Sequence, residues 1–131
     1  MDSMELLKLA EKAKENAYAP YSKFKVGAAL LAKSGRVFSG CNVECASYGG
    51  TNCAERTAVF KAVSEGEKEF VKIAVASSKE DETFPCGICR QVLSEFAHDI
   101  IVVLGDSKKG ILKEYSMDKD LLPNSFLPSD L

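Results

Sequence analysis

Pro85-Cys86-Gly87-Ile88-Cys89-Arg90-Gln91-Val92-Leu93 opens a helix, and the segments on either side of it decide the fold. Pro85 suits the approach to a helix start, and Cys89, Val92, Leu93, Phe96 and Ala97 then recur as one apolar helical face. Residues 71–76 before it and 100–104 after it are short apolar runs that read as buried strands. A second cysteine stretch, Cys53-Ala54-Glu55-Arg56, opens another helix over residues 54–65. Ala54, Ala58, Val59, Ala62 and Val63 form its apolar face, and Gly66 is its C-terminal stop.

Working outward, Asp2 followed by Glu5 resembles a capping box, and Leu6, Ala10, Ala13 and Ala17 continue at helical spacing, so a first helix is expected over residues 4–17. Its alanines suggest close approach to a neighbouring surface. Residues 25–32 and 36–41, joined by the short turn Lys33-Ser34-Gly35, read as an antiparallel hairpin. A polar, glycine-bearing loop over residues 42–52 runs straight into Cys53. Residues 77–84 form a charged loop. Residues 111–116 form a last strand, too close to the preceding one for a crossover helix, so these two pair antiparallel. A short helix over residues 117–122 and an irregular tail end the chain. The order predicts one α/β domain spanning residues 1–131, a three-layer arrangement with a five-stranded mixed sheet flanked by helices.

Composition narrows the function. Of 131 residues, 46% are hydrophobic and 27% charged, which is ordinary for a globular domain. A net charge of −2, without a Lys/Arg stripe, disfavours nucleic acid as a partner. No stretch is apolar and long enough to span a bilayer, and the N-terminus lacks the basic and apolar regions of a secretory signal, so a cytoplasmic location is expected. Five cysteines, an odd number, fit metal or catalytic thiols better than a disulfide framework.

Cys86 and Cys89 lie three apart, so both sulfurs can face one ion from a helix's first turn. Cys53 sits at another helix start, and helix N-termini stabilise thiolates. Three thiolates leave the fourth position of a tetrahedral zinc open, the mark of a catalytic rather than a structural site. Together they give bound zinc a formal charge of about −1, which Arg56 and the two helix dipoles can offset. Glu55 is two residues from Cys53, so both address one site only if Cys53 lies at the helix edge. Placed there, Glu55 can take a proton from water and deliver it to a substrate nitrogen.

Bland readings stand beside these. Cys41 and Cys45, with Cys86 and Cys89, could form a four-cysteine structural zinc site in a small binding module, with Cys53 as a core thiol. Glu55 and Arg56 alone would be surface charges, Phe24 and Phe126 core residues, Asn42 and Glu44 turn residues. His98, the single histidine, falls in the last turn of its helix, where a cation is mildly favoured, and has no metal role.

Four segments in order carry a family resemblance. They are Tyr18-Ala19-Pro20-Tyr21-Ser22-Lys23-Phe24-Lys25-Val26-Gly27-Ala28-Ala29, Gly40-Cys41-Asn42-Val43-Glu44, Cys53-Ala54-Glu55-Arg56-Thr57-Ala58 and Cys86-Gly87-Ile88-Cys89-Arg90-Gln91. Together they resemble the small homotetrameric cytidine deaminases, within the zinc-dependent deaminases that use a Cys₃ site and a glutamate that is not a ligand. The likeness runs from Leu6 to about Phe126.

The resemblance implies hydrolytic deamination of cytidine and deoxycytidine to uridine and deoxyuridine, with release of ammonia, in pyrimidine salvage. It implies one zinc per subunit, held by Cys53, Cys86 and Cys89, with Glu55 as the proton shuttle and Arg56 behind the thiolates. It implies that Asn42 and Glu44 bind the ribose, that Phe24 and Phe126 pack on the nucleoside, and that the Ala54 backbone holds the pyrimidine edge. Tyr48 is expected to reach a neighbouring subunit's site in a homotetramer. The partners implied are a small-molecule nucleoside and other copies of the chain, with neither nucleic acid nor membrane. The same chemistry on another free nucleoside or a cytosine-like compound, including an aminonucleoside antibiotic, is the rival, and such relatives should lack the Asn42 and Glu44 pair. Two positions depart from the pattern: Cys45 stands where the family usually has Asn, and Gly50 where it has a larger apolar residue. The tail's Asn124-Ser125 also differs from the small pair often seen before Phe126.

Overall fold

The computed structural model describes residues 1–79 and 82–131. Helix α1 (Ser3–Lys14) is followed by strands β1 (Val26–Ala32) and β2 (Val37–Cys41), helix α2 (Ala54–Ser64), strand β3 (Phe70–Ser77), helix α3 (Gly87–Phe96), and strands β4 (Ile101–Asp106) and β5 (Ile111–Ser116). The sheet order is β2-β1-β3-β4-β5. β3 and β4 are parallel, joined across α3, and every other neighbouring pair is antiparallel. The expected five-stranded mixed sheet is therefore present. Within the predicted charged loop, positions 80 and 81 lie outside the described residues.

Strand side chains alternate between the two faces with a period of two, and the core divides accordingly. Ala28, Leu30, Ile73, Val75, Val102 and Leu104 pack beneath α2 and α3 with Ala58, Val59, Ala62 and Leu93. Ala29, Ala74, Ala76 and Val103 face α1 through Leu6, Leu7 and Ala10. Small residues on the α1 side draw that helix close. A Cβ at Gly27 of β1 would lie 2.1 Å from the Ala10 carbonyl oxygen. On the other face, a Cβ at Gly40 of β2 would lie 2.6 Å from both the Ala54 carbonyl oxygen and the Ala58 nitrogen. The alanine faces of α1 and α2 are thus used against the chain's own sheet. The closeness read from them is seen here between elements.

Several boundaries differ from expectation. Helix α1 is capped by Asp2, whose carboxylate accepts from the Glu5 amide at 2.8 Å, but it ends at Lys14 rather than Ala17. The following backbone turns to pair Tyr18 with Val43, so tertiary bridging overrides the helical spacing of Ala17. β4 runs on to Asp106, two residues past the expected end at 104, because β5 supplies partners along its whole length. Residues 117–121 make a single wide helical turn. Helix α3 stops at Phe96, so His98 lies beyond it. There, one residue past the Ala97 C-cap, its ring sits 3.2 Å from Ser94 Oγ and 3.3 Å from Ser125 Oγ, between the end of α3 and the tail. Cys41 is half-buried on β2.

Candidate active site

The loop before α2 is pinned at its base. Val43 and Asn52 exchange two backbone hydrogen bonds, each 3.0 Å, which carries Cys53 back beside the end of β2. Cys53 is extended (φ −74°, ψ 157°) and is the N-cap of α2. Cys86 is likewise the extended N-cap of α3. The two helix starts converge, so that the sulfurs of Cys53, Cys86 and Cys89 all lie within 4.8 Å of one another. Cys53 and Cys86 Sγ are 3.8 Å apart. A tetrahedral zinc with bonds of about 2.3 Å holds its sulfurs about 3.8 Å apart, so these residues fit that ion and leave one position open. Among the described residues no carboxylate joins the group, and Cys41 and Cys45 stay outside it. The four-cysteine structural site is therefore not formed.

Glu55, in the first turn of α2, is 4% exposed. Burial pushes its pKa up to about 7, with the Cys53 charge adding to the rise and the Arg56 cation opposing it. Arg56 Nη2 donates to Cys53 Sγ at 3.1 Å. Hydrogen bonds from the Cys89 thiol, then Arg56 and Cys86, bring the Cys53 pKa down to about 5. Cys89, beside that thiolate and buried, keeps its own proton far more tightly than an ordinary thiol. A metal ion drawn into this group must therefore displace thiol protons, which ties its affinity to pH.

A cavity of about 310 Å³ opens onto these groups, with Cys53, Ala54, Glu55 and Cys86 on one side and Phe24, Asn42, Glu44 and Thr51 on another. Thr83 and Phe84 complete its wall. Neither was singled out from the sequence, because both lie in a charged loop without periodicity. Only the three residues separating Phe84-Pro85 from Cys89 hinted at them. Asn42 is 8% exposed, and its side chain is already engaged. It accepts from the Val26 amide and donates to the Phe24 carbonyl, each at 2.8 Å, and so sets the backbone from which Phe24 projects. The Glu44 carboxylate accepts from the Tyr21 and Ser22 amides at 3.0 and 3.1 Å and from the Ser22 hydroxyl. The Ser22 hydroxyl is the main cause holding the Glu44 pKa below the usual carboxylate range.

Tyr48 lines an adjoining cavity of about 350 Å³ that shares Ser22, Glu44 and Thr51 with the first. It is 75% exposed and rests tilted against Tyr21, ring centroids 6.1 Å apart. Phe126 is 61% exposed and lines neither cavity. The two positions that depart from the family pattern face each other: a Cβ at Gly50 would sit 3.4 Å from Cys45 Sγ, so the thiol occupies room that a larger residue at 50 would need. A larger cavity, about 500 Å³, lies between α1 and the C-terminal ends of β3 and β4, and it shares no lining residue with the other two.

Comparison with known proteins agrees with this geometry. The sequence model of the family described as "Cytidine and deoxycytidylate deaminase zinc-binding region" matches residues 1–105. A cytidine deaminase of Sporosarcina psychrophila is 49% identical over 131 residues, covering 100% of this chain and 96% of the relative. Another, of Halalkalibacterium halodurans, is 50% identical over 132 residues, covering 100% and 98%. The crystal structure of a cytidine deaminase from Burkholderia pseudomallei superposes with a TM-score of 0.89 at 49% identity, covering 96% of this chain and 100% of that one. By fold, by its cluster of three cysteines and by sequence, the chain belongs to the cytidine and deoxycytidylate deaminase zinc-binding family.

Proposed function

We propose that this chain is a single-domain zinc hydrolase, residues 1–131, that converts cytidine and deoxycytidine to uridine and deoxyuridine with release of ammonia. One observation carries the reading: buried Glu55 and two of the three clustered sulfurs line the same cavity as Asn42 and Glu44. Cys53, Cys86 and Cys89 hold the ion, and zinc in such a site supplies the Lewis acidity that makes water a nucleophile near neutral pH. Glu55, with a pKa near 7, accepts a proton from that water and passes it to ring N3. It then takes the remaining proton from the new C4 hydroxyl and gives it to the exocyclic nitrogen, so that the C4–N bond breaks, ammonia leaves and C4 keeps the oxygen as a carbonyl. Arg56 holds the charge of Cys53 in place through these transfers.

Substrate contacts follow from the walls. Phe24 packs on the nucleoside, the Ala54 backbone faces the pyrimidine edge, and Asn42 and Glu44 present polar atoms to the ribose. Both polar side chains are fixed by the chain itself before substrate arrives, so little ordering is left for binding to supply. Phe126 lies away from its own chain's cavities, and Tyr48 is mostly exposed, touching its own surface through Tyr21. Both are proposed to complete cavities across subunit boundaries in a homotetramer, which also covers the exposed Tyr21, Phe84 and Ile88. No helix among the described residues is long and apolar enough to cross a membrane. A role in pyrimidine salvage in the cytoplasm fits this reading.

The test is an ultraviolet assay on cytidine, deoxycytidine, cytosine and a cytidine-containing oligonucleotide, with and without a zinc chelator. Turnover of both nucleosides, lost on chelation, is expected. Efficient use of cytosine or of the oligonucleotide would overturn the nucleoside assignment, because a site built to pair sugar hydroxyls is left with unpaired polar groups when they are missing.

A further inference from the structure

Helix α3 does more than carry two cysteines. Its exposed and half-buried polar side chains reach the C-terminal tail at successive points. Arg90 donates from Nε to the Pro85 carbonyl at 2.7 Å and from Nη1 to the Leu121 carbonyl at 2.8 Å. Gln91 Nε2 donates to the Phe126 carbonyl at 2.7 Å. Beyond the helix, the His98 ring lies between Ser94 on α3 and Ser125 in the tail. Ser125 in turn donates to the Leu122 carbonyl.

The arrangement has a direction. The Pro85 carbonyl immediately precedes Cys86, so one guanidinium grips the backbone leading into the metal-binding cysteines and, with its other arm, the segment leading into the tail. Residues 122–127 form no strand, and without these side chains their backbone would have few partners. Phe126 is mostly exposed, so its own burial does not hold it, yet its carbonyl is fixed by a residue two positions from Cys89.

We propose that Arg90 and Gln91 are positioning residues that register the tail, and Phe126 with it, against the start of α3. One rigid element then sets both the metal-binding end of α3 in its own site and the aromatic that packs into a neighbouring subunit's site, before substrate binds. The proposal rests on the reading of Phe126 as a nucleoside contact.

The test uses the zinc-loaded, full-length protein with Gln91→Leu, which keeps the volume and removes the donor, together with Arg90→Met, Phe126→Ala and the Gln91→Leu/Phe126→Ala double variant. Hydrogen exchange at residues 122–127 should quicken in Gln91→Leu and further in Arg90→Met, while α2 is unchanged. In Gln91→Leu the KM for cytidine should rise roughly 2- to 10-fold, the range for loss of one neutral hydrogen bond, with kcat and zinc content nearly unchanged. In the double variant the effect of Gln91→Leu should vanish, because it acts through Phe126. Unchanged exchange in both single variants overturns the clamp whatever Phe126→Ala does. Additive KM effects overturn action through Phe126. A normal KM in Phe126→Ala, with quickened exchange in the clamp variants, overturns the reading of Phe126 and leaves the anchoring of the tail established.

Discussion

Arg56 donates to the sulfur of Cys53 at 3.1 Å, one helical turn along from the N-cap that carries the thiol. The contact pairs a cation with the thiolate whose pKa falls to about 5, at the end of a helix whose dipole also favours negative charge. Burial works against the Arg56 cation, but its hydrogen bonds to Cys53 and Cys89 outweigh that and hold its proton more tightly than usual. A three-thiolate site depends on such compensation, because the cysteines bring more negative charge than one divalent ion removes.

Arg56→Gln should therefore weaken zinc retention. A hydrogen bond to a charged group contributes about 1.5–3 kcal/mol, which corresponds to roughly a 10- to 100-fold loss in affinity. Competition with a chromogenic chelator measures this directly. Unchanged retention would mean that the Arg56 contact does not support the metal.

Glu55→Gln should keep near-stoichiometric zinc, since the atoms clustered in a group able to hold an ion are sulfurs. Turnover should fall by at least about 10³-fold, towards the upper part of the range for one acid–base group, because the same carboxyl serves several proton transfers. Metal analysis beside a steady-state assay separates the two effects. Lost zinc would instead make Glu55 a ligand or a structural support.

Gly40→Ala tests how β2 positions the site. The added methyl would meet the backbone of α2 at 2.6 Å, and backbone cannot rotate away as a side chain can. Overpacking of this kind costs about 1–3 kcal/mol, which should appear as a lower melting temperature. Because α2 carries Cys53 and Glu55, activity should fall as well. Ser39→Ala, at the exposed neighbouring position, should stay within about 0.5 kcal/mol.

Glu114 should shape the acid limb of stability. Its carboxylate accepts from the Ser3 hydroxyl and pairs with Lys72 Nζ at 3.5 Å, tying β5 to the start of α1 and to β3. The hydroxyl, followed by the ammonium, holds the Glu114 pKa below its ordinary value. A carboxyl lowered in the folded state adds stability that is fully present above its unfolded pKa, about 4.3, and is lost as pH falls through the lower folded value. Denaturant melts between about pH 6 and about pH 3 should therefore lose less stability in Glu114→Gln than in the unmodified chain. Equal slopes would show that this group carries none of the pH dependence.

Much of the molecule was legible from local pattern. The Cys86 and Cys89 spacing, Pro85 ahead of them, and Cys53 beside Glu55 all act within one helical turn, where sequence separation and spatial separation agree. The strands at residues 71–76 and 100–104 were legible because fully buried strands are unbroken apolar runs. Thr83 and Phe84 were missed because a loop without periodicity does not announce which wall it forms. The end of α1 was misplaced because Ala17 suits a helix locally, whereas the pairing of Tyr18 with Val43 depends on residues brought near by the sheet.

The sequence by itself determined the chemistry available: three thiols at two helix starts, one carboxyl, one adjacent cation, and unbroken apolar runs between apolar helical faces that make an α/β sheet. Only the tertiary structure decided that sulfurs 33 residues apart meet at 3.8 Å, and that Cys41 and Cys45 do not join them. It also decided that Asn42 spends its amide on Phe24 and Val26, that Gly27 and Gly40 admit helices on opposite faces, and that Gln91 holds the tail. The physical reason is reach. Capping, periodicity and thiol spacing are set by neighbours in the chain, whereas these contacts exist only after packing has brought distant backbone together.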